Sequence, residues 1–216
     1  MAPRPKKPEP RPAPRLYLIT PPIEGAAAFS TVLAAALAAG DVAAVLLRLG
    51  DSDERGLINR VKQLCPVVQD AGAALLLDGH VDLVARAGAD GAHLSGLGAF
   101  NEAVERLKPE RIAGCGGLAS RHDAMVVAES GADYVMFGEP DAQGARPSFG
   151  AVEERVDWWA DVFEIPCVGY AASPAEVAPL VRAGADFVAL GDWLWREPAA
   201  TIAQAARDLR LPETAA

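Results

Sequence analysis

The sequence predicts a closed (β/α)8 TIM barrel, small and with short loops, and three observations carry that prediction. Short apolar runs alternate strictly with helical patterns, the order that builds a parallel sheet. The runs are unbroken rather than alternating, as strands covered on both faces should be. There are eight such units, whereas an open doubly wound sheet has roughly five to seven strands.

Strands are expected near 16–20, 43–48, 73–78, 90–94, 112–116, 133–137, 166–170 and 186–190. Helices are expected over 26–39, 54–69, 80–87, 99–107, 121–130, 149–163, 174–183 and 197–209. Three near-copies mark the joints: "RAGADGAHL" (86–94), "ESGADYVMF" (129–137) and "RAGADFVAL" (182–190). In each, a glycine (Gly88, Gly131, Gly184) stands where a helix ends in a left-handed cap, and Ala-Asp turns the chain into the next strand. "SPAE" (173–176) reads as a capping box, with Ser173 at the N-cap, Pro174 at N1 and Glu176 at N3. "SRHD" (120–123) is a weaker version.

The segment 1–15, "MAPRPKKPEPRPAPR", alternates proline with Lys and Arg and lacks the apolar centre of a signal peptide. It reads as a disordered, partly polyproline arm. Residues 16–209 form a single barrel and 210–216 a C-terminal tail. No apolar run reaches the roughly 18 residues of a membrane span. The net charge of −9 argues against a grip on nucleic acid, which needs several cationic contacts to phosphates. A small phosphate ligand stays open, because backbone N–H groups can hold one. Cys65, Cys115 and Cys167 form no CxxC pair, so no zinc or redox site is expected, and a cytoplasmic location is. All three read as buried, with Cys115 and Cys167 ending strands. Partners reduce to a small phosphorylated ligand, with neither nucleic acid nor membrane; a homo-oligomer is compatible with the sequence.

A barrel of this kind works at the C-terminal ends of its strands. That rule selects Thr20, Arg48, Asp78, His93 with Ser95, Cys115 to Gly117, Gly138 with Glu139, Gly169 with Tyr170, and Gly191 with Asp192. Arg48 ends an apolar strand, so it needs an anionic ligand, an internal partner such as Asp78, or exposure. Asp78 caps the following helix, pairs with Arg48, or binds a metal. His93 reads as a hydrogen-bonded core histidine or a base. His80 and His122 start helices and are expected at the surface.

Several of these stretches resemble the thiamine phosphate synthase and thiazole tautomerase (TenI) family over about residues 16–208. The carriers are "RLYLIT", "VDLVARAGADGAHL", "GADYVMFG" and "IPCVGY" followed by "VRAGADFVAL". The resemblance implies a transferase of thiamine biosynthesis that joins an aminopyrimidine diphosphate to a thiazole phosphate with Mg²⁺. The chain departs from the family pattern at several positions. Of a Gln-x-Arg-x-Lys strand, only Arg48 is kept. The two metal carboxylates fall on Gly79 and Gly98. The strand 5 serine falls on Gly116 or Gly117, and the tautomerase histidine on Leu118 or Ala119. A loop lysine falls on Arg146. A Gly-Gly phosphate cradle becomes Ala171-Ala172, and Asp192 and Trp193 stand where phosphate meets backbone N–H groups.

The strand-end rule and the resemblance together give Arg48, Asp78, His93, Gly117, Arg146, Gly169, Gly191 and Asp192 as the expected binding residues for a small phosphorylated or thiamine-related ligand. No catalytic residue is assigned and no metal ligand is kept, so Mg²⁺ is expected only with retained synthase activity, through relocated acids such as Glu139, Asp141 or Asp192. Two alternatives stand beside this reading. One is a non-catalytic barrel that binds a small ligand or a partner. The other is a different phosphate-substrate enzyme, with His93 and Asp78 as its acid and base. Trp193 and Trp195 either pack in the last helical region, or Trp193 covers a remodelled pocket.

Overall fold

The structure, a computed structural model, describes residues 12–210. The expected arm and tail lie largely outside these residues. Eight parallel strands close on themselves in chain order. They are β1 (Arg15–Ile19), β2 (Val42–Leu47), β3 (Ala74–Asp78), β4 (Gly91–Ser95), β5 (Ile112–Gly116), β6 (Tyr134–Phe137), β7 (Cys167–Ala171) and β8 (Phe187–Leu190). The helices between them are α1 (Ala26–Leu37), α2 (Glu54–Gln69), α3 (Val81–Ala87), α4 (Leu97–Leu107), α5 (Arg121–Glu129), α6 (Phe149–Val162), α7 (Val177–Arg182) and α8 (Pro198–Asp208). Short 3-10 turns, Pro174–Glu176 and Asp192–Arg196, precede the last two. No helix among the described residues is long and apolar enough to cross a membrane.

The expected elements are present, with ends moved by at most two residues except at α7, whose first expected turn, 174–176, is a 3-10 turn. Arg15 begins β1 rather than ending the arm, because its guanidinium grips Asp41 at 2.8 and 3.0 Å and Val42 O at 3.2 Å. Cys167 starts β7 instead of ending it. The cysteines are all buried. The two caps exchange roles. Ser120 and Asp123 complete a reciprocal capping box, whereas Ser173 makes no side-chain cap. Glu176, the expected third member of that box, accepts instead from Ala172 N at 2.8 Å and from Arg146 Nη1 at 3.1 and 3.2 Å. A buried carboxylate gains more from a guanidinium and a strand-end amide than from one helix-end amide.

The GAD joints act at the bottom of the barrel. Gly88, Gly131 and Gly184 have φ of 82°, 97° and 86°, the left-handed region where glycine carries no steric cost. The following aspartates then clamp the strand before. Asp90 takes Leu75 N at 2.7 Å, Asp133 takes Ala113 N at 2.7 Å, and Asp186 takes Cys167 N at 2.8 Å. Each aspartate's own N–H returns a bond to the carbonyl of that same residue, at 2.9, 2.9 and 3.1 Å.

Alternation along the strands builds two cores. Residues such as Leu16, Leu18, Leu75, Leu77 and Phe137 pack outward against the helices. Tyr17, Ile19, Leu46, Leu76, Tyr134, Met136 and Tyr170 fill the interior. The same parity carries the next inward positions, Arg48, Asp78 and Ser95, to the open C-terminal mouth.

Candidate functional site

Above Ile112, β5 offers the interior no side chain, because its next inward positions are Gly114 and Gly116. A methyl group on Gly114 would overlap the Tyr134 ring. One on Gly116 would overlap Glu139 Oε1 and lie 2.9 Å from His93 Nε2. These glycines therefore admit two polar groups from neighbouring elements. His93 Nδ1 bonds the Tyr134 hydroxyl at 2.9 Å, which bonds the Tyr17 hydroxyl at 2.8 Å. The expectation of a hydrogen-bonded core histidine is met. Burial pulls the His93 pKa down to about 4, so the ring is neutral near neutral pH. Burial pushes both tyrosines well above their ordinary range.

Glu139 follows β6 and reaches back over β5, where the N–H of Gly117 donates to its Oε1. Burial pushes its carboxyl up to about 7. The backbone bonds from Gly117 and from Glu139 itself, and then the Arg155 charge, oppose that rise. Burial also pushes the Cys115 thiol up to about 12.

The mouth is a cavity of about 470 Å³ whose lining includes Ile19, Leu46, Arg48, Asp78, His93, Met136, Glu139, Tyr170 and Asp192. Arg48 stands between two carboxylates, with Nε 3.8 Å from Asp78 and Nη1 3.6 Å from Asp192. Of the partners open to it, the structure supplies the internal ones. All three side chains are more than a third exposed, so these pairs are weak and a ligand can displace them. Burial raises the Asp78 carboxyl pKa, against the charges of Arg48 and His80. Asp78 does not cap α3: the N-cap residue is His80, and no side chain caps that end. Thr20 is buried and accepts the Arg48 N–H at 3.0 Å, fixing where the arginine leaves β2.

Arg146 comes from the loop after β6 and lies against the Tyr170 ring, 5.5 Å from its centroid. Glu176 binds one guanidinium nitrogen, Nη1, while Nε and Nη2 are buried without a hydrogen-bond partner. Arg146 lines a neighbouring cavity of about 370 Å³ that shares Glu139, Ser95 and Met136 with the first and includes Gly117. Asp141 shapes this loop by accepting the N–H groups of Gln143 and Ala145, both at 2.9 Å.

The expected site residues therefore divide. Arg48, Asp78, His93 and Asp192 converge on the mouth, with Gly117 and Arg146 beside it. Gly169 is turned away, and a methyl group there would press on Leu180 of α7. Gly191 faces the Tyr170 hydroxyl, which an added methyl would overlap. Trp193 and Trp195 are no lid: their indole N–H groups bond Ala171 O at 2.9 Å and Ile19 O at 2.7 Å, and both rings pack on the outer core. Sequence reading named Glu139 as a strand-end position and, with Asp141 and Asp192, as a candidate relocated acid, but gave it no partner. The signal that could have found its role is "GCGG" (114–117), whose glycines at period two leave the mouth half of β5 without an inward side chain.

The sequence model described as thiamine monophosphate synthase matches residues 16–193. The thiamine-phosphate synthase of Rhodospirillum centenum is 43% identical over 195 residues, covering 89% of this chain and 94% of that protein. That of Hyphomonas neptunium is 37% identical over 208 residues, covering 90% and 93%. Among solved structures, a thiamine phosphate pyrophosphorylase from Pyrococcus furiosus superposes with a TM-score of 0.70 at 19% identity, covering 90% of this chain and 94% of that one. At that identity the likeness concerns the barrel alone.

Proposed function

The chain belongs to the thiamine monophosphate synthase family, and from that premise we propose that it is a thiamine phosphate synthase-like protein working without a carboxylate-bound metal. Its mouth takes an aminopyrimidine diphosphate and a thiazole phosphate. The observation that carries this reading is the acid-rich mouth, with Asp78 and Asp192 about a single arginine and Glu139 on the inner wall.

A magnesium ion would stabilise a departing diphosphate. The residues present do not fit one. The two family carboxylate positions are glycines, Gly79 and Gly98. Asp78 faces Arg48, and among the described residues no cluster of three or more His, Cys, Asp or Glu side chains could hold a metal. The charge on the diphosphate falls instead to Arg48 and to the unpartnered donors of Arg146. The carbon–oxygen bond breaks with its electron pair going to diphosphate, which leaves a pyrimidine-bearing cation. The Asp78 and Asp192 carboxylates in the mouth favour that cation electrostatically. The thiazole nitrogen then supplies the pair for the new carbon–nitrogen bond. A cytoplasmic site of action belongs to the same proposal and is supported by the buried thiols of Cys65 and Cys115, which lie outside any disulfide.

The test is turnover of the two precursors with Mg²⁺ and with EDTA, reading thiamine phosphate by its fluorescence after alkaline oxidation. Product formation that EDTA leaves unchanged is expected. Strict dependence on Mg²⁺ overturns the metal-free site. No product from folded protein overturns the joining step and favours a second reading, a barrel that binds without catalysis. One contact favours that second reading: Glu176 already occupies the Ala172 N–H, where the family cradle would meet a phosphate.

Either reading needs Arg48. Arg48→Ala is expected to weaken binding of the aminopyrimidine diphosphate at least about tenfold, or about 1.4 kcal/mol. The thermal unfolding midpoint should hold, because the side chain is more than a third exposed. Calorimetric titration checks the first and scanning calorimetry the second; unchanged affinity would remove Arg48 from the site.

A further inference from the structure

The wall between the two cavities carries a hydrogen-bonding edge with no role so far. Glu139 lines both cavities. The bond from the Gly117 N–H fixes its carboxyl group without exhausting it, since each carboxylate oxygen has two acceptor sites. His93 Nε2 approaches the same glycine, Gly116, and the bond from Nδ1 to Tyr134 holds the ring there. Ile19, Leu46 and Met136 give this end of the cavity apolar walls suited to a flat ring.

A carboxyl group is complementary to one part of the two precursors. The amino group and adjacent ring nitrogen of an aminopyrimidine form a donor–acceptor edge. A carboxyl oxygen accepts from the amine while the other oxygen shares a proton with the ring nitrogen. A phosphate is repelled by the same group, and a thiazole ring nitrogen without an amine makes only one of the two bonds. We propose that Glu139 is the residue that reads the aminopyrimidine, pairing with its amino group and neighbouring ring nitrogen while the ring lies against Met136. The identity of the ligand rests on the function proposed above; the pairing itself rests on the geometry around Gly116.

This pairing has a pH signature. It needs one proton between the carboxyl group and the ring nitrogen. Burial sets the Glu139 pKa at about 7; the Asp78 charge adds to the rise and Arg155 opposes it. The other titratable groups facing it are Tyr17, Tyr134, Cys115 and His93. Burial keeps the first three protonated and the histidine neutral across neutral pH. Binding is therefore lost as pH rises through about 7, where the free carboxyl group gives up its proton.

The experiment is titration of the full-length protein with 4-aminopyrimidine by ligand-observed NMR and calorimetry, with unsubstituted pyrimidine as control. The amine should tighten binding, and affinity should fall about tenfold for each pH unit above the carboxyl pKa. Glu139→Gln keeps a donor and an acceptor, so it should still bind but without the pH slope. Glu139→Ala should lose about tenfold or more while staying folded by circular dichroism. Wild-type affinity in Glu139→Ala, or a flat pH profile in the wild type, overturns the assignment. Parallel titration with the aminopyrimidine diphosphate separates the two failures. If Glu139→Ala binds it as tightly as the wild type, the role of Glu139 falls and the family reading stands. If folded wild-type protein binds neither compound, both fall.

Discussion

Gly116→Ala is expected to close the site while leaving the barrel folded. The added methyl would overlap Glu139 Oε1 and crowd His93 Nε2. Glu139 must then swing away, giving up the bond from Gly117. A hydrogen bond to a neutral group contributes about 0.5–1.5 kcal/mol. Loss of the pairing edge together with the steric block should lower affinity for 4-aminopyrimidine by about a hundredfold, or about 2.7 kcal/mol. Position 116 does not have positive φ, so alanine meets no backbone penalty there. Titration alongside thermal unfolding reads both halves of the prediction. Undiminished binding would mean that Glu139 and His93 do not meet over this glycine when the ligand is present.

The largest loss of stability is expected from Trp159→Ala. Trp159 is fully buried on the inner face of α6. It stacks on Phe163 at 4.1 Å between centroids and meets Phe137 edge-on at 5.7 Å. Its indole N–H donates to Ile165 O at 2.8 Å. Truncation removes the ring, leaves a cavity and strands that carbonyl. Buried Trp→Ala changes cost about 3–5 kcal/mol. Chemical denaturation should show the midpoint shift with little change in slope. A loss below about 1 kcal/mol would be typical of a surface position and would mean that the cluster repacks.

The fold was legible because its signals are local. Apolar runs, glycine helix ends and the thrice-used GAD turn each report on a few neighbouring residues, and eight of them in order leave one architecture. The site was only partly legible. Arg48, Asp78 and Asp192 could be placed at the mouth because strand parity and the C-terminal rule depend on sequence position alone. Their mutual pairing could be offered only among alternatives, since three loops set the distances. Glu139 was harder still. Its environment is made by absent side chains on the mouth half of β5, and a vacancy one strand–helix unit back in the sequence has no local pattern. Glu176 shows the opposite failure. Its local pattern, a capping box, was plain, but a long-range guanidinium and a strand-end amide outbid the helix N-terminus for its carboxylate.

The aspartate clamps have a consequence for how this barrel can change. Asp90, Asp133 and Asp186 tie β3, β5 and β7 at the end opposite the mouth. Nothing in those ties touches Arg48, Asp78, Glu139 or Asp192. The closing of the barrel and the chemistry of its opening are thus written in separate residues at opposite poles. Loops at the mouth can exchange metal-binding acids for glycines, or a lysine for an arginine, without loosening the ring that displays them. The same separation makes the scaffold a base for grafting: new loops at the mouth should inherit the closure that the three aspartates provide below.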